Sequence, residues 1–379
     1  MAQELQGITL IDLAGMGPSA RCVRALSDLG ARWIRLNPPA AAARMTNAWH
    51  TYGAIRGAEP MECDFKNPGA RDFYLKLVSK ADIVVEGFRP GVADRLGIGY
   101  RDLSAVNPRI IYCAATGYGQ TGPWAMEVGH DLNYQAVTGA LSLAGRTAEG
   151  TPAVPGSTFA DSAGGGWQGA MLVLAAIVER VRTGRGKFVD LSAAEGMLQL
   201  MSVVIDEQLA TGVSAADLPQ SGKFACNNIY ATADGESVAL AAFETKFFAN
   251  ACKVLGLEDK VGLQNKKEAQ PELFRALADV FKTRTRAEWV ERFAGVEACF
   301  TPVLSIEEVM QHPHWKARKV FVEYDHPQAG HATQVGPLGG GDSRGPAPDA
   351  KKSYCREVLS SVGFAPEEID ELRASGIVR

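Results

Sequence analysis

The sequence predicts an α/β protein in which a Rossmann-like large domain with a parallel sheet is joined to a smaller α+β domain. In the first half of the chain, short apolar segments alternate with amphipathic helix patterns. The apolar segments are continuous, which is typical of strands covered on both faces. The chain has 379 residues. A single hydrophobic core of ordinary size does not extend over so long a chain, so we expect a second domain.

The first half of the chain supplies the elements of the predicted sheet in alternating order. The strand segments are "ITLIDLAG", "RWIRL", "DIVVEGF", "RIIYCAATG" and "KFVDLS". The helix segments are "SARCVRALSDLGA", "PGARDFYLKLVSKA", "DRLGIGYRDLSAVN", "FADSAGGGWQGAMLVLAAIVERVRTG" and "AAEGMLQLMSVVIDEQLATG". Open sheets of this kind bind ligands at the carboxyl ends of their strands, so that edge is where we expect a site.

The sequence changes character after a polar stretch around "DLPQSGKFACNN". Beyond it, Asp234-Gly235 is a hairpin signal between two strand patterns, and helix patterns follow. Pro366 suits the first turn of a last helix. The predicted parts are a large domain over 1–205, a linker over 206–225, a small α+β domain over 226–310, and a return segment over 311–379 whose C-terminal helix packs on the large domain.

Charge and composition favour a small-molecule partner. The net charge is −4, so no overall basic field attracts nucleic acid or an anionic membrane. The first residues lack the pattern of a signal peptide, and no apolar stretch approaches the length of a membrane span, so we expect a cytoplasmic protein. The seven cysteines are scattered without a CxxC spacing and the six histidines do not cluster, so we expect buried thiols and neither disulfides nor a metal site.

His130 and Asp131 follow a glycine-rich stretch after the strand "RIIYCAATG", which places them near the carboxyl edge of the sheet. One interpretation is that His130 is an acid/base group, since a histidine titrates near neutral pH. The other is that the pair is a helix start containing two polar residues. Asp131 suits a helix cap or an orienting partner.

Asp161 opens a strongly apolar helix, where a carboxylate lies near the positive end of the helix dipole. It is either an ordinary N-terminal acidic residue or a functional one. Gly164 to Gly166 favour function, because three glycines weaken a helix unless another backbone or a ligand must come close. Glu244 likewise lies at the start of a predicted helix after a strand. Without further context it is an ordinary acidic residue in the first turn of that helix.

The first glycine turn, "LAGMGP", is not a dinucleotide motif. It lacks the GxGxxG spacing, and "RLNPPA" after the second strand offers no acidic ribose ligand. This turn is better explained as part of another kind of ligand pocket.

An ordered set of motifs resembles the class III CoA-transferase family over nearly the whole chain. The motifs are "EGFRPGVADRLG", "GYGQTGP", "GHDLNY", "FADSAGGG", "RTGRGKFVDLSAAEGML", "FETKFF" and "TPVLSIEEV". The resemblance implies the fold of that family, an interlocked homodimer, and an acyl-CoA thioester as substrate with no further cofactor. It is greatest to members that racemise 2-methylacyl-CoA thioesters.

The resemblance also implies roles. Transferases of the family use an aspartate at the position of Asp161 as a nucleophile that forms an acyl anhydride, whereas racemases keep it and add a histidine in a G-H-D-x-N-Y motif, here His130. Asp131 and Glu244 would help to hold His130, with Glu244 reaching across the dimer. Substrate and CoA contacts would come from Arg35, Pro38, Arg56, Cys63, Asp64, Phe65, Lys66, Arg89, Gly129, Asp131, Leu132, Asn133 and Tyr134.

Several positions depart from the family pattern. Asn37 and Pro38 stand where relatives have Asp-Arg, and Ala58-Glu59 stands where they have basic residues. Ser157 and "ACNNIY" differ in segments that bear on the acyl group. The cations left to face phosphates are Arg35, Arg56, Lys66 and Arg89.

The chemistry of inversion explains why two groups are needed. Inverting the carbon α to a thioester requires removal of a proton on one face and its return on the other. His130 and Asp161 suit this pair, and backbone N–H groups at the start of the Asp161 helix could stabilise the enolate. The leading hypothesis is therefore a 2-methylacyl-CoA racemase. The alternatives are a CoA-transferase with Asp161 as nucleophile and a non-catalytic CoA-ester-binding protein.

Overall fold

A computed structural model describes the chain over residues 4–13, 15–39, 55–326, 330–337 and 352–379. The chain forms two compact units. The first comprises Met1–Ser142, Ala153–Met201 and Pro313–Arg379, and the second comprises Leu143–Pro152 and Ser202–His312. The predicted linker over 206–225 belongs to the second unit and begins within a helix, so it is not an extended connection. Part of the predicted return segment, 338–351, lies outside the described residues.

The first unit contains a six-stranded parallel sheet of order β3-β2-β1-β4-β5-β6. Its strands are β1 (Thr9–Asp12), β2 (Arg32–Asn37), β3 (Ala58–Glu62), β4 (Ile83–Glu86), β5 (Ile111–Thr116) and β6 (Phe188–Ser192). This is the doubly wound order of a Rossmann-like sheet, and it confirms the predicted fold class.

Helices connect these strands and continue into the second unit. In chain order they are α1 (Pro18–Asp28), α2 (Ala70–Val78), α3 (Val92–Arg95), α4 (Tyr100–Val106), α5 (Asp131–Val137), a π-helix (Ala160–Trp167) that continues into α6 (Gln168–Thr183), α7 (Ala193–Leu200), α8 (Ser202–Thr211), α9 (Thr245–Leu255), α10 (Gln270–Phe281), α11 (Arg286–Arg292), α12 (Ile306–Gln311), α13 (Pro313–Ala317), α14 (Cys355–Ser361) and α15 (Pro366–Ala374). Short 3-10 segments lie at Ala140–Leu143, Ala215–Asp217, Pro219–Ser221, Glu258–Leu263 and Lys267–Ala269.

Both faces of the sheet are buried, as the continuous apolar strands predict. On β1, Leu10 packs into a core formed with α1 and α6, while Ile11 packs into a core formed with α2, α14 and α15. Successive strand residues point to opposite faces, so one strand serves both cores. The C-terminal helices pack on the large unit, and Pro366 is the first residue of α15.

Some elements differ from the sequence expectation. β3 was not predicted, because Ala58–Glu62 is largely polar and contains Pro60. It is one of the two edge strands of the sheet, where a proline is tolerated. The single helix expected over "DRLGIGYRDLSAVN" divides into α3 and α4, since Gly97 between them has φ +67°. The helix expected over "AAEGMLQLMSVVIDEQLATG" divides at Met201 into α7 and α8.

The second unit is built on an antiparallel sheet of β7 (Asn227–Ala231), β8 (Ser237–Ala241) and β9 (Phe300–Pro302). Gly235, with φ +80°, lies in the predicted turn between β7 and β8. Phe281 stacks on Tyr230 at 5.1 Å and meets Trp289 edge-on at 5.4 Å, in the core between sheet and helices. A separate antiparallel hairpin, β10 (Phe321–His326) and β11 (Gly330–Val335), was not predicted.

No helix in the described part of the chain is both long and apolar enough to cross a membrane. Among the same residues, no group of three or more His, Cys, Asp or Glu side chains is arranged to hold a metal ion. Six cysteines are buried, as expected, but Cys299 is exposed.

Candidate active site

The segment "GHDLNY" is fixed at the start of α5. His130 is the extended residue that precedes the helix, and its backbone N–H donates a 3.0 Å hydrogen bond to Oδ1 of Asn133. The hydroxyl of Tyr134 donates a 2.6 Å bond back to the carbonyl of Gly129. These two bonds set the backbone on either side of His130, whose side chain is exposed, as is that of Leu132.

Asp131 connects this segment to Asp161. The backbone N–H of Asp161 donates a 2.9 Å hydrogen bond to one carboxylate oxygen of Asp131, and the amide of Gln135 donates a 2.5 Å bond to the other. Asp131 is thus held by its own helix and caps the backbone at Asp161. This contact orients Asp161, and His130 rather than Asp131 is the residue that precedes α5. The assistance of Asp131 to His130 stays a prediction.

The carboxylate of Asp161 lies against the first glycine turn. Gly17 has φ +57° and immediately precedes α1; a β carbon there would lie 3.1–3.3 Å from the carboxylate atoms of Asp161. Only a glycine permits this approach. The positive end of the α1 dipole favours a negative charge at this position.

Burial is the main reason why the pKa of Asp161 is raised, to about 6, and the nearby charge of Asp131 adds to the effect. Arg21 and His130 act in the opposite direction and favour the carboxylate. His130 and Asp161 therefore lie within electrostatic reach of each other. With a pKa of about 6, Asp161 is mostly ionised at neutral pH and still basic enough to take up a proton.

The three glycines after Asp161 allow backbones to approach closely. A β carbon on Gly165 would lie 2.5 Å from Cβ of Pro18, and one on Gly166 would lie 2.3 Å from Cβ of Arg21. On the other side, a β carbon on Gly196 of α7 would lie 1.7 Å from the carbonyl oxygen of Gly164. The π-helix is thus pressed between α1 and α7, which fixes Asp161 beside Gly17.

Two N–H groups at the start of this helix already have acceptors within the chain. The N–H of Asp161 is bonded to Asp131, and that of Ser162 donates a 2.9 Å bond to the carbonyl of Thr158. The expectation that these groups stabilise an enolate is not supported by this geometry. The positive end of the α1 dipole, next to Gly17, is the better candidate for stabilising this charge.

Residues 63–66 follow β3 at the carboxyl edge of the sheet. The N–H of Cys63 donates to the carbonyl of Asn37, and that of Asp64 donates to the carbonyl of Ile377. The Cys63 side chain is 1% exposed and burial raises the pKa of its thiol to about 12, so this side chain is part of the core. A contact of Cys63 with the substrate stays a prediction and would have to come from its backbone. Phe65 packs edge-on against Tyr74 at 5.4 Å, and Lys66 is exposed.

The predicted phosphate-facing cations fall into two groups. Arg35 pairs with the buried carboxylate of Asp12, and Asp12 also accepts a 3.1 Å bond from the N–H of Gly15. Arg35 therefore lies at the site edge, next to exposed Pro38, but is engaged in holding the first turn. Arg89, after β4, and Lys66 are exposed at the same edge and form no ion pair with the described residues.

Arg56 is not brought to the site. It precedes β3, at the amino edge of the sheet, and its fully buried guanidinium makes two 2.8 Å bonds to Asp28 at the end of α1 and one 2.8 Å bond to the carbonyl of Val335. Its guanidinium is committed to these partners, and the expected CoA contact stays a prediction. Arg56 fastens the β10–β11 hairpin to α1.

Glu244 is the exposed residue that precedes α9 in the second unit, where its carbonyl accepts the N–H groups of Phe247 and Phe248. Its assistance to His130 stays a prediction.

Arg21 was missed by the sequence interpretation although its charge lowers the pKa of Asp161. The available signal was its place in the first turn of the helix that follows a glycine turn.

The parallel sheet of order β3-β2-β1-β4-β5-β6, with a carboxylate held at its carboxyl edge, defines an α/β protein with the fold that the motifs indicated. The family model described as CoA-transferase family III matches residues 5–347, and the chain belongs to this family.

Similar proteins include two kinds of enzyme. The chain is 34% identical to alpha-methylacyl-CoA racemase from Homo sapiens over 99% of this chain and 97% of the relative. It is 28% identical to acetyl-CoA:oxalate CoA-transferase from Acetobacter aceti over 84% of this chain and 85% of that one. Among solved structures, a CaiB/BaiF family protein from Brucella suis superposes with a TM-score of 0.80 at 23% identity, covering 96% of this chain and all of its own, a likeness that concerns the fold alone.

Proposed function

We propose that this protein is an enzyme that inverts the α-carbon of a 2-methylacyl-CoA thioester by 1,1-proton transfer through an enolate. The observation that carries the proposal is the pKa of Asp161, raised to about 6 beside His130 at the carboxyl edge of the sheet. Both a histidine and a carboxylate of this pKa can exchange a proton near neutral pH. The racemase relatives support the same reaction.

The residues divide the reaction between them. Asp161 or His130 removes the α-proton from one face, and the other returns a proton to the opposite face. The negative charge that develops on the thioester oxygen is stabilised by the start of α1 at Gly17, next to the Asp161 carboxylate. Asp131 keeps Asp161 in place through its hydrogen bond to the backbone.

CoA binds through the exposed cations at the same edge. Arg89 and Lys66 face solvent and are available to phosphate groups, whereas Arg35 and Arg56 are committed to Asp12 and Asp28. The reaction needs no cofactor beyond the CoA of the substrate, because proton transfer requires only the two side chains.

The test is deuterium uptake from D₂O at the α-carbon of a pure 2-methylacyl-CoA enantiomer, followed together with loss of optical purity. Wild-type protein should show both, while His130→Ala and Asp161→Asn should lose most of the inversion. The assay is repeated with 2-methylacyl-CoA thioesters of different acyl chains, so that a negative result does not depend on one choice of substrate. Absence of both exchange and inversion with all of these thioesters would contradict the proposal.

A CoA-transferase is the second candidate, favoured by the family's transferases and by the presence of Asp161. It predicts an acyl group bound to Asp161 that hydroxylamine traps, and a need for a carboxylate acceptor. His130→Ala separates the two, because a transferase would keep much of its activity. Tight CoA-ester binding with neither activity would instead indicate a non-catalytic binding protein.

We further propose a homodimer in which Glu244 assists His130 of the other copy. Exposed apolar side chains at the end of the π-helix and along α6 support association, since Trp167, Met171, Val178 and Val181 are between 54% and 80% exposed. Mixing His130→Ala with Glu244→Ala chains should create heterodimers with one intact site if the residues act across the dimer. No recovery of activity on mixing, with dimers confirmed by light scattering, would place both residues within one chain.

A further inference from the structure

A buried carboxyl group lies beneath the proposed CoA edge and has no part in the proton transfer. Glu86 is the last residue of β4, and it is 3% exposed. One of its oxygens accepts a 2.6 Å hydrogen bond from the N–H of Phe88, and the other accepts a 3.3 Å bond from the hydroxyl of Tyr112 on β5. Burying a carboxylate is costly, so these contacts call for a reason.

The bond to Phe88 bends the chain directly after the strand. It closes a short turn in which a side chain accepts the N–H two residues ahead. The next turn follows at once, because the N–H of Val92 donates a 3.1 Å bond to the carbonyl of Arg89. The backbone that carries Arg89 is therefore anchored on one side by Glu86, while the Arg89 side chain remains in solvent.

The same carboxyl group acts on the neighbouring segment. Glu86 is among the charges that raise the pKa of Tyr74, whose fully buried hydroxyl has no hydrogen-bond partner in the described part of the chain. Tyr74 in turn meets Phe65 edge-on at 5.4 Å. Both Phe65 and Phe88 pack on the core that contains Tyr74 and Tyr112. Phe65 and Phe88 thus pack on the same core, which also contains the rings of Tyr74 and Tyr112.

We infer that Glu86 is a positioning residue for CoA: it holds the turn after β4 so that Arg89 faces the phosphates of an acyl-CoA. The inference rests on the proposed function, since it assigns Glu86 to the binding of the same substrate. Glu86 does not touch the ligand and acts through the backbone at Phe88.

The ionisation of Glu86 supports this role. Burial raises the pKa of Glu86 to about 7, Asp94 adds to the increase, and the bonds from Phe88 and Tyr112 oppose it. The groups that face it are Tyr112 on β5, Tyr74 on α2 and Asp94 on α3. Above pH 7 the carboxylate is a strong acceptor for the Phe88 N–H, and below pH 7 its protonated form is a weaker one.

The experiment compares Glu86→Ala, Glu86→Gln and wild type. Glu86→Ala removes the acceptor, and we expect the Kd for CoA to rise about tenfold with kcat changed less than threefold. Glu86→Gln keeps an acceptor oxygen and should restore binding to within about threefold of wild type at pH 8. Lowering the pH from 8 to 6 should weaken CoA binding more in wild type than in Glu86→Gln, because only wild type has a carboxylate at position 86 to protonate. The phosphates of CoA titrate in the same way with either protein, so they do not cause a difference between the two.

A double-mutant cycle with Arg89→Ala identifies the path of the effect. If Glu86 acts through Arg89, Glu86→Ala should change the Kd less than threefold in the Arg89→Ala background. An unchanged Kd in Glu86→Ala, or equal effects in both backgrounds, would overturn the inference while leaving CoA binding by the wild type intact. Failure of the wild type itself to bind CoA would overturn the proposed function as well, so the two failures are distinguishable.

Discussion

The backbone N–H of Asp161 is hydrogen-bonded to the carboxylate of Asp131, so one acid fixes the position of the other at 2.9 Å. The same proximity places two negative charges together, and Asp131 is the second cause, after burial, of the raised pKa of Asp161. One residue thus sets both the geometry and the proton affinity of its neighbour.

Asp131→Asn should lower the pKa of Asp161 below about 6, because the amide keeps an acceptor oxygen for the Asp161 N–H but removes the negative charge. The acidic limb of the pH–rate profile for inversion should move to lower pH by the same amount. The exposed Asp217→Asn serves as the control and should not move it. A limb that stays in place or moves upward in Asp131→Asn would show that Asp131 does not set the charge of Asp161.

Asp161→Asn should stabilise the protein at pH 8 and leave it unchanged at pH 4. The pKa of Asp161 is raised in the folded state, so its contribution to stability is fully present below its ordinary pKa of 3.8 and is lost as the pH rises through about 6. With allowance for partial solvent screening, the gain at pH 8 is on the order of 1 kcal/mol. Urea denaturation at both pH values measures it, and equal gains at both would contradict the cause given.

Gly196→Ala should be strongly destabilising, by about 2–4 kcal/mol, because its β carbon would meet the backbone of Gly164, which cannot rotate away. Gly262→Ala is the control: nothing lies within 4 Å of its β carbon, and its change should stay within about 0.5 kcal/mol. Thermal unfolding of both variants tests the comparison. A mild effect at Gly196 would mean that α7 can move away from the π-helix.

Arg56→Met should mainly lower the stability of the protein, whereas Arg89→Ala should mainly weaken its binding of CoA. Removing Arg56 leaves the Asp28 carboxylate without its buried partner and should lower the free energy of unfolding by about 3 kcal/mol, with little change in the Kd for CoA. Removing Arg89 should raise that Kd roughly five- to fiftyfold with little loss of stability. Calorimetry and chemical denaturation separate the two, and weaker CoA binding in Arg56→Met at unchanged stability would restore Arg56 to the site.

The sequence predicts the sheet well because its inner strands contain short runs of apolar residues, such as Ile83–Val85 on β4 and Ile111–Ala115 on β5. It fails at β3, where Ala58–Glu62 has no strand pattern and is a strand only because β2 pairs with it. The candidate site shows the same limit. His130 and Asp161 stand out by residue type and motif, whereas the pairing of Arg56 with Asp28 and the contact of Gly17 with Asp161 depend on how distant segments pack.

The helix that carries Asp161 winds with one more residue per turn than α6, into which it continues. Rewinding the segment as an ordinary α-helix at its full length would turn its start by roughly 100° about the axis relative to α6, because the extra residue would have to be taken up by rotation. The carboxylate would swing away from the first glycine turn while every side chain named in the mechanism was still present, so the winding of this segment, as much as its composition, is under functional constraint.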